Sequence, residues 1–171
     1  MANGRVKVGI IGSQFQADIH AASLQIMPEE AEVVAVASPT PGNAAAFARK
    51  FNIPREFTDY REMLKEKDIE MVTIAAPNSL HAQMTKDCAA AGKHIVCEKP
   101  LAMTIAEGEE MIAVAKRHGV LLMYGEELVF TPKYLKAKEM ADAGAFGKIY
   151  LIKQGEKPVS YTHLTLPTTS R

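Results

Sequence analysis

The stretch that decides the fold is Val6–His20, VKVGIIGSQFQADIH. Its first half is a short apolar run rich in β-branched residues, which predicts a strand buried on both faces. Gly12 follows this run directly, and beyond it Phe15, Ile19 and Ala22 recur at helical spacing. Such a strand–turn–helix unit directs free backbone N–H groups and the positive end of a helix dipole at one point. A pyrophosphate can bind there.

Small residues at three places in such a turn are typical of dinucleotide-binding proteins. Gly12 takes the first place, where the chain turns tightly, and Ala17 takes the third, where the helix meets the strand. Gln14 takes the second place, where a glycine normally lets the backbone approach the phosphates. Alone, the motif fits a buried strand followed by an ordinary helix about as well, so the rest of the chain has to decide.

Five further strands are predicted along the chain, at Val33–Ala37, Phe57-Thr58, Met71–Ala75, His94–Cys97 and Val120–Tyr124. Helical patterns separate them, and none of the connections is a two-residue hairpin. This alternation predicts an α/β fold, a Rossmann-type doubly wound parallel sheet with helices on both faces. Ligands of such sheets bind outside the carboxyl ends of the strands, so the residues just after each strand are the candidates for a site.

Three helix boundaries carry capping signals. Thr40 followed by Pro41 predicts an N-cap with proline at the first helical position. Thr104 and Glu107 have the spacing of a capping box. Gly92 is predicted to be the left-handed residue that ends the helix before His94–Cys97.

The pattern changes after the sixth predicted strand. A helix is predicted over Lys133–Ala143, and Lys148–Gln154 alternates polar and apolar residues, which predicts a strand with one solvated face in a second sheet. Val159–Arg171 is rich in Thr, Ser and Pro, which predicts disorder, and it resembles the translation of a transposon adapter used in sequencing libraries. We therefore expect a nucleotide-binding domain over residues 1–125, the beginning of a truncated second domain over 126–157, and a non-native tail over 158–171.

Composition excludes several classes of function. Lys and Arg together number 20, as do Asp and Glu, so there is no net charge to attract nucleic acid or an anionic membrane. We therefore expect neither nucleic acid nor a membrane as a partner. In addition, no stretch reaches transmembrane length. Met1–Lys7 has no apolar segment typical of a secretion signal. Cys88 and Cys97 stand alone and predict reduced, buried thiols in a cytoplasmic protein, and the histidines show no spacing that suggests a metal.

Motifs in the middle of the chain carry a family resemblance. They are a Pro-Asn turn at Pro77-Asn78, His81 three residues on, the AGKH turn at 91–94, and Glu98-Lys99-Pro100 at the end of a predicted strand. In this order they resemble the glucose-fructose oxidoreductase, inositol dehydrogenase and rhizopine catabolism family of NAD(P)-dependent oxidoreductases. The resemblance covers roughly Arg5–Lys157.

The resemblance implies a Rossmann domain followed by an α/β domain whose open sheet covers the nicotinamide and the substrate, usually a sugar or polyol. It implies that Lys99 is the catalytic residue, which hydrogen-bonds the reacting oxygen and assists proton transfer. It also implies three sets of cofactor contacts. The pyrophosphate would lie against Gly12, Ser13, Gln14 and Phe15. The nicotinamide side would be bordered by Pro77, Asn78 and His81, and the nicotinamide ribose would lie near Glu98. Taken alone, Glu98 and Lys99 also fit a solvated pair at a strand end, and His81 also fits a first-turn helix residue facing water.

The second predicted strand bears on the choice of cofactor. NAD enzymes usually place an acid after this strand for the ribose 2′-OH, but here the chain reads Ser38-Pro39-Thr40. Ser38, Thr40 and Asn43 could hydrogen-bond a 2′-phosphate, although no Arg follows at once to pair with it. We therefore expect NAD(P), with a leaning to NADP or little discrimination.

The leading hypothesis is an oxidoreductase that moves hydride between the nicotinamide and a sugar, polyol or related hydroxy compound. Two alternatives stay open: an NAD-dependent glycosidase of the same family, and a non-catalytic dinucleotide sensor. The resemblance implies that a further Asp and His for proton transfer lie in the second domain. We therefore expect the 171-residue chain to bind a dinucleotide without turnover, and any homo-oligomer to need that domain.

Overall fold

The chain alternates strands and helices, and the computed structural model describes residues 4–153. The strands are β1 Val6–Ile11, β2 Ala31–Ala37, β3 Arg55–Phe57, β4 Met71–Ile74, β5 His94–Cys97 and β6 Leu122–Tyr124. The α-helices are α1 Phe15–Gln25, α2 Asn43–Phe51, α3 Tyr60–Leu64, α4 His81–Ala90, α5 Ile105–His118 and α6 Pro132–Asp142. Short 3₁₀ turns lie at Asn78–Leu80 and Glu127–Phe130.

The six strands form one sheet in the order β3-β2-β1-β4-β5-β6, and every neighbouring pair is parallel. The strand order reverses at β1, since β2 and β3 lie on one side of it while β4, β5 and β6 lie on the other. The predicted Rossmann-type doubly wound sheet is therefore confirmed. Because all strands run the same way, the segments that follow β1, β2, β4 and β5 lie at one edge of the sheet, where ligands of this fold bind.

The central strands are buried because helices cover both faces of the sheet. Ile10 and Val36 pack with residues of α1 and α2 in one hydrophobic cluster. Val72 and Ile95 pack with residues of α4 and α5, among them Met111, in a second cluster. Each fully buried aliphatic side chain of this kind stabilises the fold by about 1.5–3 kcal/mol. The continuous apolar runs of the sequence match this burial on two faces.

The AGKH turn is a structural element that joins α4 to β5. Gly92 adopts a φ of +71° after the helix ends, as predicted. Lys93 is 5% exposed, and its Nζ donates to the carbonyl oxygens of Glu66 at 2.7 Å and Ile69 at 2.8 Å. Burial lowers the pKa of the Lys93 ammonium. The motif thus anchors the loop before β4 to the start of β5.

The predicted capping box of α5 is confirmed. The Thr104 hydroxyl accepts from the Glu107 backbone N–H at 3.2 Å, and the Glu107 carboxylate accepts from the Thr104 N–H at 3.1 Å. Gly119 ends this helix with a φ of +68°.

Several predicted boundaries differ from the structure. The strand β2 begins at Ala31 and not at Val33, β3 is Arg55–Phe57 and not Phe57-Thr58, and β4 ends at Ile74 and not at Ala75. Two further differences have a visible cause. The helix expected from Pro41 begins at Asn43, because Asn43 N–H closes a turn on the Thr40 carbonyl and Gly42 adopts a left-handed φ of +77°. The strand expected from Val120 begins at Leu122, because the Val120 N–H still donates to the Ala115 carbonyl of α5.

The strand predicted over Lys148–Gln154 is also not observed. Residues 148–153 have no regular structure, and Gln154 lies outside the described residues. The apolar side chains of Ile149, Tyr150, Leu151 and Ile152 are 45–85% exposed. A strand needs a neighbour to satisfy its backbone groups, and within the described part of the chain these residues pair with none.

The described chain separates into two compact units, with the division between Glu126 and Glu127. The first contains the six-stranded sheet, and the second contains the 3₁₀ turn Glu127–Phe130 and α6. The tail predicted over residues 158–171 lies outside the described residues. Between residues 4 and 153, no helix has the length and apolar character that a membrane span requires.

Candidate functional site

The turn after β1 is shaped by Gly12, which has a φ of +118°. A Cβ added there would overlap the backbone carbonyl of Ala75, lying 2.8 Å from its carbon and closer still to its oxygen. The Gly12 N–H donates to the Ala37 carbonyl at 2.9 Å, which fixes the turn against the end of β2. Only glycine therefore fits at this position.

The N-terminus of α1 opens at the same turn. Gln14 is the N-cap residue, and its side chain makes no capping hydrogen bond. The first N–H groups of the helix therefore lack a side-chain acceptor, an arrangement suited to an anion. Gln14 and Phe15 are exposed, with Phe15 75% accessible, so neither side chain fills the turn. Ala17 is fully buried where α1 packs against the sheet, as its place in the motif predicts.

Ser13 and Ser38 connect the ends of β1 and β2. The Ser13 hydroxyl donates to the Ser38 hydroxyl oxygen at 2.9 Å. Ser38 is 4% exposed, and its N–H donates to the Phe57 carbonyl at the end of β3. The two predicted contact residues are thus brought together, with Ser13 partly accessible and Ser38 buried beneath it.

The carboxylate of Glu98 lies at the centre of the site. Glu98 follows β5 directly and is 6% exposed. One oxygen, Oε1, accepts from Gln16 Nε2 at 2.9 Å and lies 2.8 Å from His20 Nε2. The other, Oε2, accepts from the Lys99 backbone N–H at 3.1 Å. Gln16 and His20 lie one turn apart on α1, so the helix that follows the Gly12 turn is bonded to the segment that carries Lys99.

Sequence reasoning missed Gln16 and His20 as site residues. The only available signal was their spacing of four residues on a helix, which puts two hydrogen-bonding side chains on one face. Lys99 itself is exposed at this edge of the sheet, and the peptide bond between Lys99 and Pro100 is cis.

His81 does not face water, so the alternative of a solvated first-turn helix residue is wrong. The ring is fully buried at the start of α4. Nδ1 lies 2.9 Å from the Pro100 carbonyl oxygen and Nε2 lies 2.9 Å from the Ala76 carbonyl oxygen. His81 therefore joins the segments after β4 and β5 from inside. Pro77 and Asn78 are exposed in front of it.

A cavity of about 390 Å³ lies beside Ser38, at the carboxyl ends of β1, β2 and β3. Tyr60 and Arg61 of α3 line it, and sequence reasoning named neither. The Arg61 guanidinium lies 4.8 Å from the Tyr60 ring centroid and 3.6 Å from the Asp87 carboxylate. The Tyr60 hydroxyl donates to Asp87 at 2.6 Å. Burial and this hydrogen bond raise the pKa of Tyr60, so its phenol is neutral near pH 7.

The two cysteines are buried, unpaired thiols, as predicted. Burial raises the pKa of Cys97 to about 11 and also raises the pKa of Cys88. Both are therefore protonated at neutral pH and serve as core residues rather than nucleophiles. Among residues 4–153 there is no group of three His, Cys, Asp or Glu side chains that could hold a metal ion.

The geometry of this edge fits a dinucleotide. The Gly12 turn gives close backbone access and α1 offers N–H groups for a pyrophosphate. The cavity by Ser38 is lined by the ends of β1 and β2, and Lys99 follows β5 on the other side of β1 in the sheet order. The parallel strand order confirms that the carboxyl ends of β1, β2, β4 and β5 share one edge of the sheet. That this edge binds a dinucleotide stays a prediction.

Comparison with known proteins agrees with this geometry. The chain is 35% identical over 153 residues to the levoglucosan dehydrogenase of Pseudarthrobacter phenanthrenivorans, covering 84% of this chain and 39% of that protein. It is 35% identical over 134 residues to the scyllo-inositol 2-dehydrogenase (NADP(+)) of Bacillus subtilis, covering 78% of this chain and 40% of that protein. A solved structure of levoglucosan dehydrogenase in complex with NADH matches with a TM-score of 0.80 at 34% identity, covering 84% of this chain and 41% of that one.

The chain thus spans about two fifths of the length of these relatives. The model of the oxidoreductase family with an NAD-binding Rossmann fold matches residues 6–126, which is the whole of the six-stranded sheet and its helices. The resemblance inferred from the Pro-Asn, AGKH and Glu-Lys-Pro motifs is confirmed, and the chain belongs to this oxidoreductase family.

Proposed function

We propose that the chain is the nucleotide-binding part of an NAD(P)-dependent oxidoreductase acting on a hydroxyl-bearing carbon of a sugar, polyol or related compound. The observation that carries the proposal is the bonding of Glu98, the neighbour of Lys99, to Gln16 and His20 of α1. This contact supports a shared site for Lys99 and the turn suited to a pyrophosphate, because it bonds the segment that carries Lys99 to α1. The names of the relatives, levoglucosan dehydrogenase and scyllo-inositol 2-dehydrogenase, support a sugar or polyol as the substrate class.

The cofactor contacts of the proposal follow the edge of the sheet. The backbone at Gly12, Ser13 and Gln14 and the first turn of α1 from Phe15 hold the pyrophosphate. Ser38 and the cavity beside it receive the adenosine end, and Pro77 and Asn78 border the nicotinamide side. Glu98 and His81 contribute from the interior, because both side chains are buried and hydrogen-bonded within the protein.

Lys99 is the catalytic residue of the proposal. When bound, the nicotinamide supplies the hydride donor or acceptor. The Lys99 ammonium donates a hydrogen bond to the oxygen on the reacting carbon and assists its gain or loss of a proton. The side chain is exposed at the edge of the sheet, and its backbone N–H is held by the Glu98 carboxylate.

For the cofactor we propose NADP, or little discrimination between NADP and NAD. No carboxylate directly follows β2 in the sequence, where NAD enzymes usually place one. Asp59 lines the cavity beside Ser38, but it lies 3.8 Å from the Arg61 guanidinium, which offsets its charge. Arg61 lines the same cavity and offers the cation that is missing from the sequence directly after Ser38. Titration of the chain with NADPH and NADH, followed by nicotinamide fluorescence, measures the preference, and clearly tighter binding of NADH refutes this part.

Amine footprinting of the 171-residue chain tests the placement of Lys99. We expect saturating NADH to slow acetylation of Lys99, measured by mass spectrometry, while Lys138 on α6 reacts at an unchanged rate as the internal control. Protection arises because the nicotinamide end covers the ammonium. NADH binding without protection of Lys99 contradicts the catalytic assignment.

Turnover is a separate test. We expect the 171-residue chain to bind NADH or NADPH without reducing either oxidised cofactor in the presence of levoglucosan or scyllo-inositol, since the resemblance assigns further proton-transfer groups to the second domain. Sugar-dependent formation of reduced cofactor by the purified chain contradicts this expectation.

A further inference from the structure

The hydrogen bonds of Glu98 leave this carboxylate little capacity for a ligand. Its side chain is 8% exposed. Both oxygens already accept bonds from the protein, Oε1 from Gln16 and His20 and Oε2 from the Lys99 N–H. An ionised carboxylate only accepts hydrogen bonds, so the facing Nε2 of His20 carries a hydrogen. Glu98 is thus an internal connection, and a bound ribose would have to displace one of these bonds.

The connection begins at the turn that the proposed function assigns to the pyrophosphate. Gln16 is the second residue of α1, and His20 lies one turn further along the same face. A helix transmits a displacement of its first turn along its axis because its backbone is hydrogen-bonded throughout. An anion bound at the N-terminus of α1 therefore acts on the element that holds the Glu98 carboxylate.

We propose that Gln16 and His20 are positioning residues that act through Glu98 on Lys99, so that occupancy of the Gly12 turn is transmitted to Lys99. This inference rests on the proposed function of that turn. The path is short and continuous: the α1 side chains donate to Oε1, and Oε2 of the same carboxylate holds the backbone N–H of the catalytic residue. Charge-assisted bonds in a buried setting are stronger than neutral ones, which makes the path stiff.

A purely structural role for the same contacts is the alternative. In that case Glu98 attaches β5 to α1, its removal lowers stability, and ligand at the turn leaves Lys99 unaffected. Stability measurements cannot separate the two roles, since both predict destabilisation. A spectroscopic signal at Lys99 that responds to ligand at the turn does separate them.

The experiment uses ¹⁵N–¹H correlation spectra of the 171-residue chain with ADP as the probe. ADP carries the adenosine and pyrophosphate but no nicotinamide, so it can occupy the turn without reaching Lys99 directly. We expect saturating ADP to shift the amide resonances of Gly12 and Ser13 and also that of Lys99. The Gly119 amide, at the far end of α5, is the control and stays in place.

Matched variants at His20 test the path. His20→Gln keeps an amide nitrogen near the position of Nε2, whereas His20→Asn places it near Nδ1 and cannot reach Glu98. We expect His20→Gln to retain the ADP-induced shift of Lys99 and His20→Asn to lose it, while Gly12 and Ser13 still respond in both. Gln16→Met, which keeps the side-chain length and removes the donor, is expected to weaken the Lys99 response in the same way.

Each outcome of these measurements either supports or contradicts the proposed transmission. If ADP shifts the amide resonances of Gly12 and Ser13 but not that of Lys99 in the unmodified chain, transmission to Lys99 is refuted. The assignment of the Gly12 turn as a pyrophosphate site is then still supported. If none of the three shifts at saturating concentration, the pyrophosphate site itself is wrong, and the inference fails with it. If His20→Asn does not fold, the unmodified chain and Gln16→Met still give the answer, and an undiminished Lys99 response in Gln16→Met excludes that residue from the path.

Discussion

Replacing Gly12 by alanine tests the central turn most directly. The added Cβ meets the Ala75 carbonyl carbon at 2.8 Å, and ordinary contact begins at 3.4 Å, so the carbonyl has to retreat by about 0.6 Å at least. The Ala75 N–H is bonded to Ile11 at 2.8 Å, which resists that movement. Overpacking of this kind costs about 1–3 kcal/mol, and a non-glycine residue at a φ of +118° adds about 1–3 kcal/mol.

We therefore expect Gly12→Ala to lower the free energy of unfolding by about 2–6 kcal/mol, measured by urea denaturation. Gly119→Ala is the matched control, because Gly119 also has a positive φ, +68°, but open space around its Cβ position. We expect Gly119→Ala to lower the free energy of unfolding only by the cost of a left-handed backbone at a non-glycine residue, about 1–2 kcal/mol. We also expect Gly12→Ala, and not Gly119→Ala, to abolish NADH binding. Equal destabilisation by the two substitutions refutes the close-approach argument.

Three further substitutions or conditions give distinct outcomes. Lys93→Met leaves two buried carbonyl oxygens without their donor, and we expect a loss of about 1–3 kcal/mol in urea denaturation; unchanged stability contradicts the anchoring role. Arg61→Met is expected to weaken NADPH binding several-fold and leave NADH binding unchanged in fluorescence titrations, whereas equal effects on both cofactors count against a 2′-phosphate contact. The free energy of unfolding should fall as pH rises from about 9 to 11. The reason is that the Cys88 and Cys97 thiols have raised pKa values and stay protonated in the folded state, whereas the same thiols ionise in the unfolded chain. Each thiol contributes up to about 1.4 kcal/mol per pH unit in that window, and thermal unfolding of Cys88→Ala should show a shallower decline.

The fold was accessible from the sequence because its signals are local and redundant. A parallel sheet covered on both faces requires continuous apolar strands, and Val33–Ala37 and His94–Cys97 show them. The Thr104 capping box is likewise a short-range pattern with a fixed spacing. The start of α2 was missed because Pro41 fits a first helical turn as well as the turn that Gly42 completes. Alternative starting points of a helix differ in free energy by as little as a few tenths of a kcal/mol.

The candidate site was accessible only in outline. Strand order places the Gly12 turn and Lys99 at one edge, and that much follows from topology. The donors to Glu98 do not, because Gln16 and His20 lie 82 and 78 positions away in the sequence. The spacing of residues along a helix does not predict which donor a buried carboxylate contacts in the folded protein. The burial of His81 was missed for the same reason, since the Pro100 segment, nineteen positions on, supplies one of its two acceptors.

The apolar run Ile149–Ile152 has a practical consequence for handling the protein. Four consecutive side chains, largely apolar, are exposed to water. The formal net charge of the chain at pH 7 is zero, so there is little electrostatic repulsion between molecules. We expect concentrated solutions to become opalescent and light scattering to rise with added sulfate. Replacing Leu151 and Ile152 by lysine should restore clear solutions without altering the six-stranded sheet.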